Sequence, residues 1–192
     1  VPMADKTNID VTMGHGLPIR RQDEDYIPLY IGNYILGGNF SARLMTTVRD
    51  DRGLTYGIGS GLSGVSTDYR GHWAIHVTLS QDRLEEGIDA TREQVRIMRE
   101  EGVTADELED KKTTLTGSFK VRLAKTSNLA EMLLTNAERG FDLDYLDRYP
   151  QLIDSTSQQQ VNEAINRYLQ PDALHVAMAG SVPEHAAAQQ QA

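Results

Sequence analysis

Between Arg70 and Ser80 the chain alternates without a break: Trp73, Ile75, Val77 and Leu79 fall on one side, His72, Ala74, His76 and Thr78 on the other. A period of two is the mark of a strand with one buried face. This stretch therefore demands a sheet, with apolar material laid against one side of it. The segment that follows supplies such material. Leu84, Ile88, Thr91, Val95 and Met98 step by four, three, four and three, which gives one continuous helical face.

The other elements follow from the same two periods. Asn8 to Gly14 alternates as a second half-buried strand. Asp23-Glu24-Asp25 opens a helix with an acidic first turn, its apolar residues running from Tyr26 to Leu36 until Gly37-Gly38 stops it. A short helix is expected from Asn39 or Ser41 to Asp51, with Phe40, Leu44 and Val48 inward and Gly53 ending it. A strand over Thr55–Gly61 pairs with Arg70–Ser80 as a hairpin across the turn-rich Ser63–Tyr69. Thr104-Ala-Asp-Glu107 and Ser157-Gln-Gln-Gln160 are capping boxes. The first starts a helix with Leu108, Leu115, Phe119 and Leu123 inward; the second starts one with Val161, Ala164, Ile165 and Tyr168 inward, stopped by Pro171. Helices near Ser127–Arg139 and Leu143–Asp154, the latter kinked by Pro150, lie between them. Leu174, Val176 and Met178 make a last strand ending at Gly180. The expected fold is α+β, a largely antiparallel sheet with helices on one face. Residues 1–181 form one domain in this reading, and 182–192 a disordered tail.

A composition of 39% hydrophobic and 24% charged residues suits a folded core. The net charge of −9 argues against nucleic acid as the main partner. No run approaches the length of a membrane span. There are no cysteines, which removes disulfides, thiolate metal sites and cysteine nucleophiles together. The chain starts at Val1 with no signal-like stretch after it, and reads as a processed product or, by preference, a piece of a longer polypeptide.

The histidines do not assemble a metal site. His72 and His76 have the spacing of a zinc helix but sit in a strand, where four residues span about 13 Å. His15 stands alone after a strand, His175 alternates with core residues, and His185 lies in the tail. There is no His-x-x-Glu-His, no His-Glu-x-x-His, no nucleophile elbow and no phosphate loop. Gly57-Ile-Gly-Ser-Gly61 lies inside a strand, so it reads as a place of close backbone approach rather than a nucleotide site. Arg49 and Arg52 suit the negative end of the short helix, and Tyr56 a core edge.

Leu36-Gly-Gly-x-Phe-Ser-x-Arg-Leu44 and Val48-Arg49-x-x-Arg52-Gly-Leu-Thr-Tyr56, with Tyr145-Leu-x-Arg148-Tyr-Pro150 further on, carry a resemblance. The chain resembles the M16 metallopeptidases (insulinases, pitrilysins and mitochondrial processing peptidases) over about residues 5–180. That family pairs similar α+β halves around a peptide. One half holds zinc through an inverted His-x-x-Glu-His motif; the other lacks the ligands and offers an Arg/Tyr pair.

The resemblance implies that this chain is the zinc-free half, part of a zinc metalloendopeptidase and inactive alone. Zinc is expected in the partner half, which is either part of the same longer polypeptide or a separate subunit. The family's Arg and Tyr lie seven positions apart, which matches Arg49 and Tyr56; Arg52 is the less favoured arginine. Tyr56 is expected to donate to the scissile carbonyl or its oxyanion, Arg49 to grip the bound peptide, and the sheet edge to hold an extended substrate. The alternative is a structural or peptide-binding module without peptidase activity. Family habit favours an extracytoplasmic, periplasmic location.

Overall fold

The computed structural model describes residues 3, 6–66 and 68–181. Its strands are β1 (Asn8–Gly16), β2 (Thr55–Ser63), β3 (His72–Ser80) and β4 (His175–Ala179), and its main helices are α1 (Tyr26–Leu36), α2 (Leu84–Glu101), α3 (Ala105–Leu123), α4 (Thr126–Glu138), α5 (Tyr145–Ser155) and α6 (Gln158–Tyr168). A short stretch of π-helical turns covers Met45–Asp51. The expected tail and His185 lie outside the described residues.

The strands form one sheet in the order β2-β3-β1-β4, with every neighbouring pair antiparallel. The alternation of β3 works as expected: Trp73, Ile75, Val77 and Leu79 are buried beside Ile9, Val11 and Met13 of β1. The helices cover that one face, giving the α+β layer. Asp10, Thr12, His76 and Thr78 stand on the opposite, open face, where Thr12 Oγ1 lies 3.0 Å from His76 Nδ1 and Thr78 Oγ1 donates to Asp10 at 2.8 Å. Both capping boxes are formed. Among the described residues, no helix is long and apolar enough to cross a membrane.

Three details depart from the sequence reading. Phe40 is 87% exposed rather than inward. The Asn39 side chain accepts from the Ser41 N–H and hydroxyl, holding Asn39–Ser41 as a turn, so helical periodicity starts only after Phe40. Leu44 and Val48, inside the helix, are fully buried as expected. The acidic run precedes α1 instead of forming its first turn: Asp25 occupies the N-cap position without capping, and its carboxylate accepts from Arg167 and from Tyr168 of α6. Leu123, the last residue of α3, is only half-buried.

Candidate functional site

The short helix and the start of β2 bring the Arg49–Tyr56 segment to one corner of the sheet. Hydrogen bonds of i→i−5 type run here, from the Arg52 N–H to the Thr47 carbonyl at 3.1 Å. Such wide turns are frequent at functional sites. Gly53, at φ +60°, reverses the chain with a backbone that other residues rarely adopt. The chain then enters β2, an edge strand.

The edge carries a bulge. Thr55 pairs with Leu79 and Ile58 with Val77, so Tyr56 and Gly57 together oppose Thr78 alone. Thr55 pins the irregularity: its hydroxyl donates to the Thr78 carbonyl at 2.6 Å and accepts from the Gly57 N–H at 3.1 Å. Bulges re-aim side chains at sheet edges. Here Thr55 and Ile58 both stay buried, while Tyr56 is 92% exposed. Gly57 and Gly59 leave a depression of about 400 Å³ beside it, bordered by Thr12, His76 and Thr78 of the open face.

Arg49 reaches the same point. Its Nε donates to the Tyr56 carbonyl at 3.0 Å, and one terminal nitrogen pairs with Asp50 at 2.9 Å. Arg49 therefore braces the backbone that carries Tyr56. Arg52 turns elsewhere, pairing with Glu93 of α2 at 2.7 Å with both side chains well exposed. An exposed pair of this kind stabilises by about 0.2–1 kcal/mol.

Two supports were not read from the sequence. The first is Asn33 of α1, only 5% exposed. Its Oδ1 accepts from Ser60 Oγ at 2.8 Å and from Trp73 Nε1 at 3.0 Å, and its Nδ2 donates to the Ser60 carbonyl at 3.3 Å. The Ser60 N–H donates to the Gly37 carbonyl at 2.9 Å, so the free edge of β2 is partly occupied by its own chain. A polar residue within an apolar helix face was the available signal. The second is Arg43, whose fork takes both carboxylate oxygens of Glu107 at 2.7 Å and also donates to the Gly102 carbonyl. Burial works to raise the Glu107 carboxyl, but the Arg43 fork and the Thr104 backbone N–H outweigh it and hold it at about 2.

The donor set does not suit zinc. Among the described residues, no three or more of His, Asp and Glu gather to hold a metal. His72 and His76 point from an extended strand, too far apart to share one ion. His15 serves the fold: its ring packs on Trp73 at 5.4 Å, Nδ1 donates to the Gly16 carbonyl, and Nε2 accepts from the Gln170 N–H at 3.2 Å.

The profile of the peptidase M16 inactive domain matches residues 3–115, more than half of the chain. The uncharacterized zinc protease YmxG of Bacillus subtilis (strain 168) is 31% identical over 100 residues, 52% of this chain and 24% of that protein. A solved peptidase M16 inactive domain from Pseudomonas fluorescens superposes with a TM-score of 0.84 at 28% identity, over 95% of this chain and 42% of that one. The periplasmic protease PqqL of Escherichia coli shares the fold, with a TM-score of 0.79 at 16% identity, over 96% of this chain and 20% of that one. This chain thus spans less than half the length of each. The match over β1, the Leu36–Tyr56 segment and the helices up to Leu115 places the chain in the M16 peptidase family, as a domain of the inactive type.

Proposed function

We propose that this chain is the substrate-binding half of an M16-type zinc peptidase, with Tyr56 and Arg49 as its working groups. The observation that carries the reading is the Tyr56 side chain, almost wholly exposed on a backbone braced by Thr55 and Arg49. A tyrosine with its ring in solvent adds little to folding, whereas a phenol that leaves the sheet from a braced backbone is a ready hydrogen-bond donor. Beside a scissile carbonyl, its O–H strengthens its bond as the oxygen gains negative charge, which favours the transition state over the ground state.

Arg49 uses its Nε and one terminal nitrogen within the chain. The other terminal nitrogen has no partner among the described residues and suits a carbonyl or carboxylate of a bound peptide. In this reading the metal belongs to a zinc-bearing partner half, in the same longer polypeptide or a separate subunit, and the peptide lies between the two. A periplasmic relative of the same fold favours an extracytoplasmic setting.

The test is cleavage of an unstructured peptide by the assembled enzyme. Tyr56→Phe should lower kcat by about 10- to 1000-fold, on the order of 1.4–4 kcal/mol, with folding unchanged. Arg49→Ala should raise KM at least as much as it lowers kcat, and Arg52→Ala should matter less than either. The chain without its partner should cleave nothing. Full activity in both Tyr56→Phe and Arg49→Ala, or the greatest loss in Arg52→Ala, would refute the proposal. The second reading, a structural or peptide-binding module, is favoured by Arg49 being half satisfied inside its own chain; it expects every partner to lack the His-x-x-Glu-His motif.

A further inference from the structure

A cavity of about 380 Å³ lies on the helical side of the molecule, away from Tyr56 and the open sheet face. Tyr26 and Tyr30 of α1, Phe119 at the end of α3, and Tyr145 and Tyr149 of α5 form its walls. Its roof is α4, none of whose residues is buried. The size falls in the range of small-molecule pockets, and the walls are aromatic.

Its polar groups are mostly donors. Arg21, Arg122 and Arg139 line the cavity against one carboxylate, the exposed Glu131. Arg21 Nη1 donates to the Tyr26 hydroxyl at 2.7 Å, and its guanidinium sits 4.9 Å from the Tyr26 ring centre. Arg21 Nε is buried without a hydrogen-bond partner. None of the three arginines forms an ion pair among the described residues.

The like charges feel each other. Burial, and after it the charge of Arg21, lower Arg139 from the usual guanidinium range, with Glu138 acting in the opposite direction. Burial raises Tyr26, Tyr30, Tyr145 and Tyr149 above the usual phenol range, so their hydroxyls stay protonated and able to donate.

The geometry points to a second binding site, between α1, α3, α4 and α5, that takes a small aromatic carboxylate. The carboxylate pairs with Arg21 and Arg139, which line the cavity without an ion-pair partner among the described residues, and the ring packs among the tyrosines. The planar walls select a ring over a bare anion, and the paired arginines select an acid over a neutral ring. This site is independent of the peptide reading at Tyr56.

The experiment is titration of the 192-residue chain with 3-phenylpropionate, followed calorimetrically and by tyrosine and arginine side-chain NMR signals. 3-Phenylpropanol and inorganic phosphate are the comparison arms. Saturable binding of the acid is expected, with the alcohol and phosphate each at least about 10-fold weaker. Arg139→Gln should weaken the acid by about 10-fold or more. Arg21→Gln should do the same; because Arg21 also packs on Tyr26, thermal unfolding of both variants shows whether the fold is retained. Leu134→Ala, on the exposed side of α4, should bind as the parent does. No binding, equal binding of the alcohol or of phosphate, or undiminished binding in a folded Arg139→Gln variant would overturn the assignment.

Discussion

The two ends of α3 are held in opposite ways. At its start, the Thr104–Glu107 box caps the helix, Arg43 forks onto Glu107, and Lys111 donates to Ser41 at 2.6 Å, while Leu108 and Leu115 are buried. These contacts tie α3 to the short helix that carries Arg49. At its end, Val121 is exposed, Leu123 is half out, and α4 follows with Leu134 62% exposed. One helix thus spans a rigid corner and a loosely covered cavity. Along its length α3 packs on other helices, α1, α4 and α5, so the difference comes from the cap, the Arg43 fork and the Lys111 contacts that its start has and its end lacks. Precise placement of a side chain in catalysis needs the first environment; admission of a ligand needs the second.

The contrast can be broken by mutation. Leu108→Ala, at the held end, should cost about 3 kcal/mol of unfolding free energy, read from denaturant titration. A loss below about 1 kcal/mol would mean that the corner is not packed as described. Arg43→Ala should cost about 2 kcal/mol at neutral pH by removing a charged, part-buried fork.

That second effect has a pH signature. Glu107 titrates at about 2 in the fold against 4.5 for the ordinary group, so its stabilisation is complete above about pH 4.5 and is lost as pH falls through about 2. Parent and Arg43→Ala stabilities should therefore converge on acidification; curves that stay parallel from pH 6 to 2 would remove Glu107 from the account. The smallest effect belongs to the loose end. Leu134→Ala should change stability by no more than about 0.5 kcal/mol, and α4 amides should exchange hydrogen faster than those at the start of α3. A loss matching that of Leu108→Ala would erase the contrast.

Much of the rigid corner was legible in the sequence, and little of the loose one. Trp73–Leu79 announces its sheet by alternation, and Thr104–Glu107 and Ser157–Gln160 announce two helix starts, because these signals are local. Phe40 misled because a turn held by Asn39 looks like helix to a periodicity argument. The bulge at Tyr56–Gly57 was hidden, since two residues against one is a property of the pairing with Thr78. Asn33 was visible as a polar residue among apolar ones, but its partners Ser60 and Trp73 lie 27 and 40 positions away. The cavity was out of reach: Arg21, Arg139 and Tyr149 meet only after α1, α3, α4 and α5 have packed.

The bulge has a consequence for how this edge can vary. A strand reading Thr55, Tyr56, Ile58 without Gly57 would alternate regularly, with both inward residues still inward. A side chain at Gly57 would meet nothing within 4 Å, so crowding does not call for glycine there either. Packing alone could thus be satisfied by a chain one residue shorter. What the shorter chain would lose is the angle at which the phenol leaves the sheet and the carbonyl that Arg49 holds. On the role proposed for Tyr56, length at this corner is set by aim rather than by parity, and single-residue deletions here are expected to separate a protein that folds from one that works.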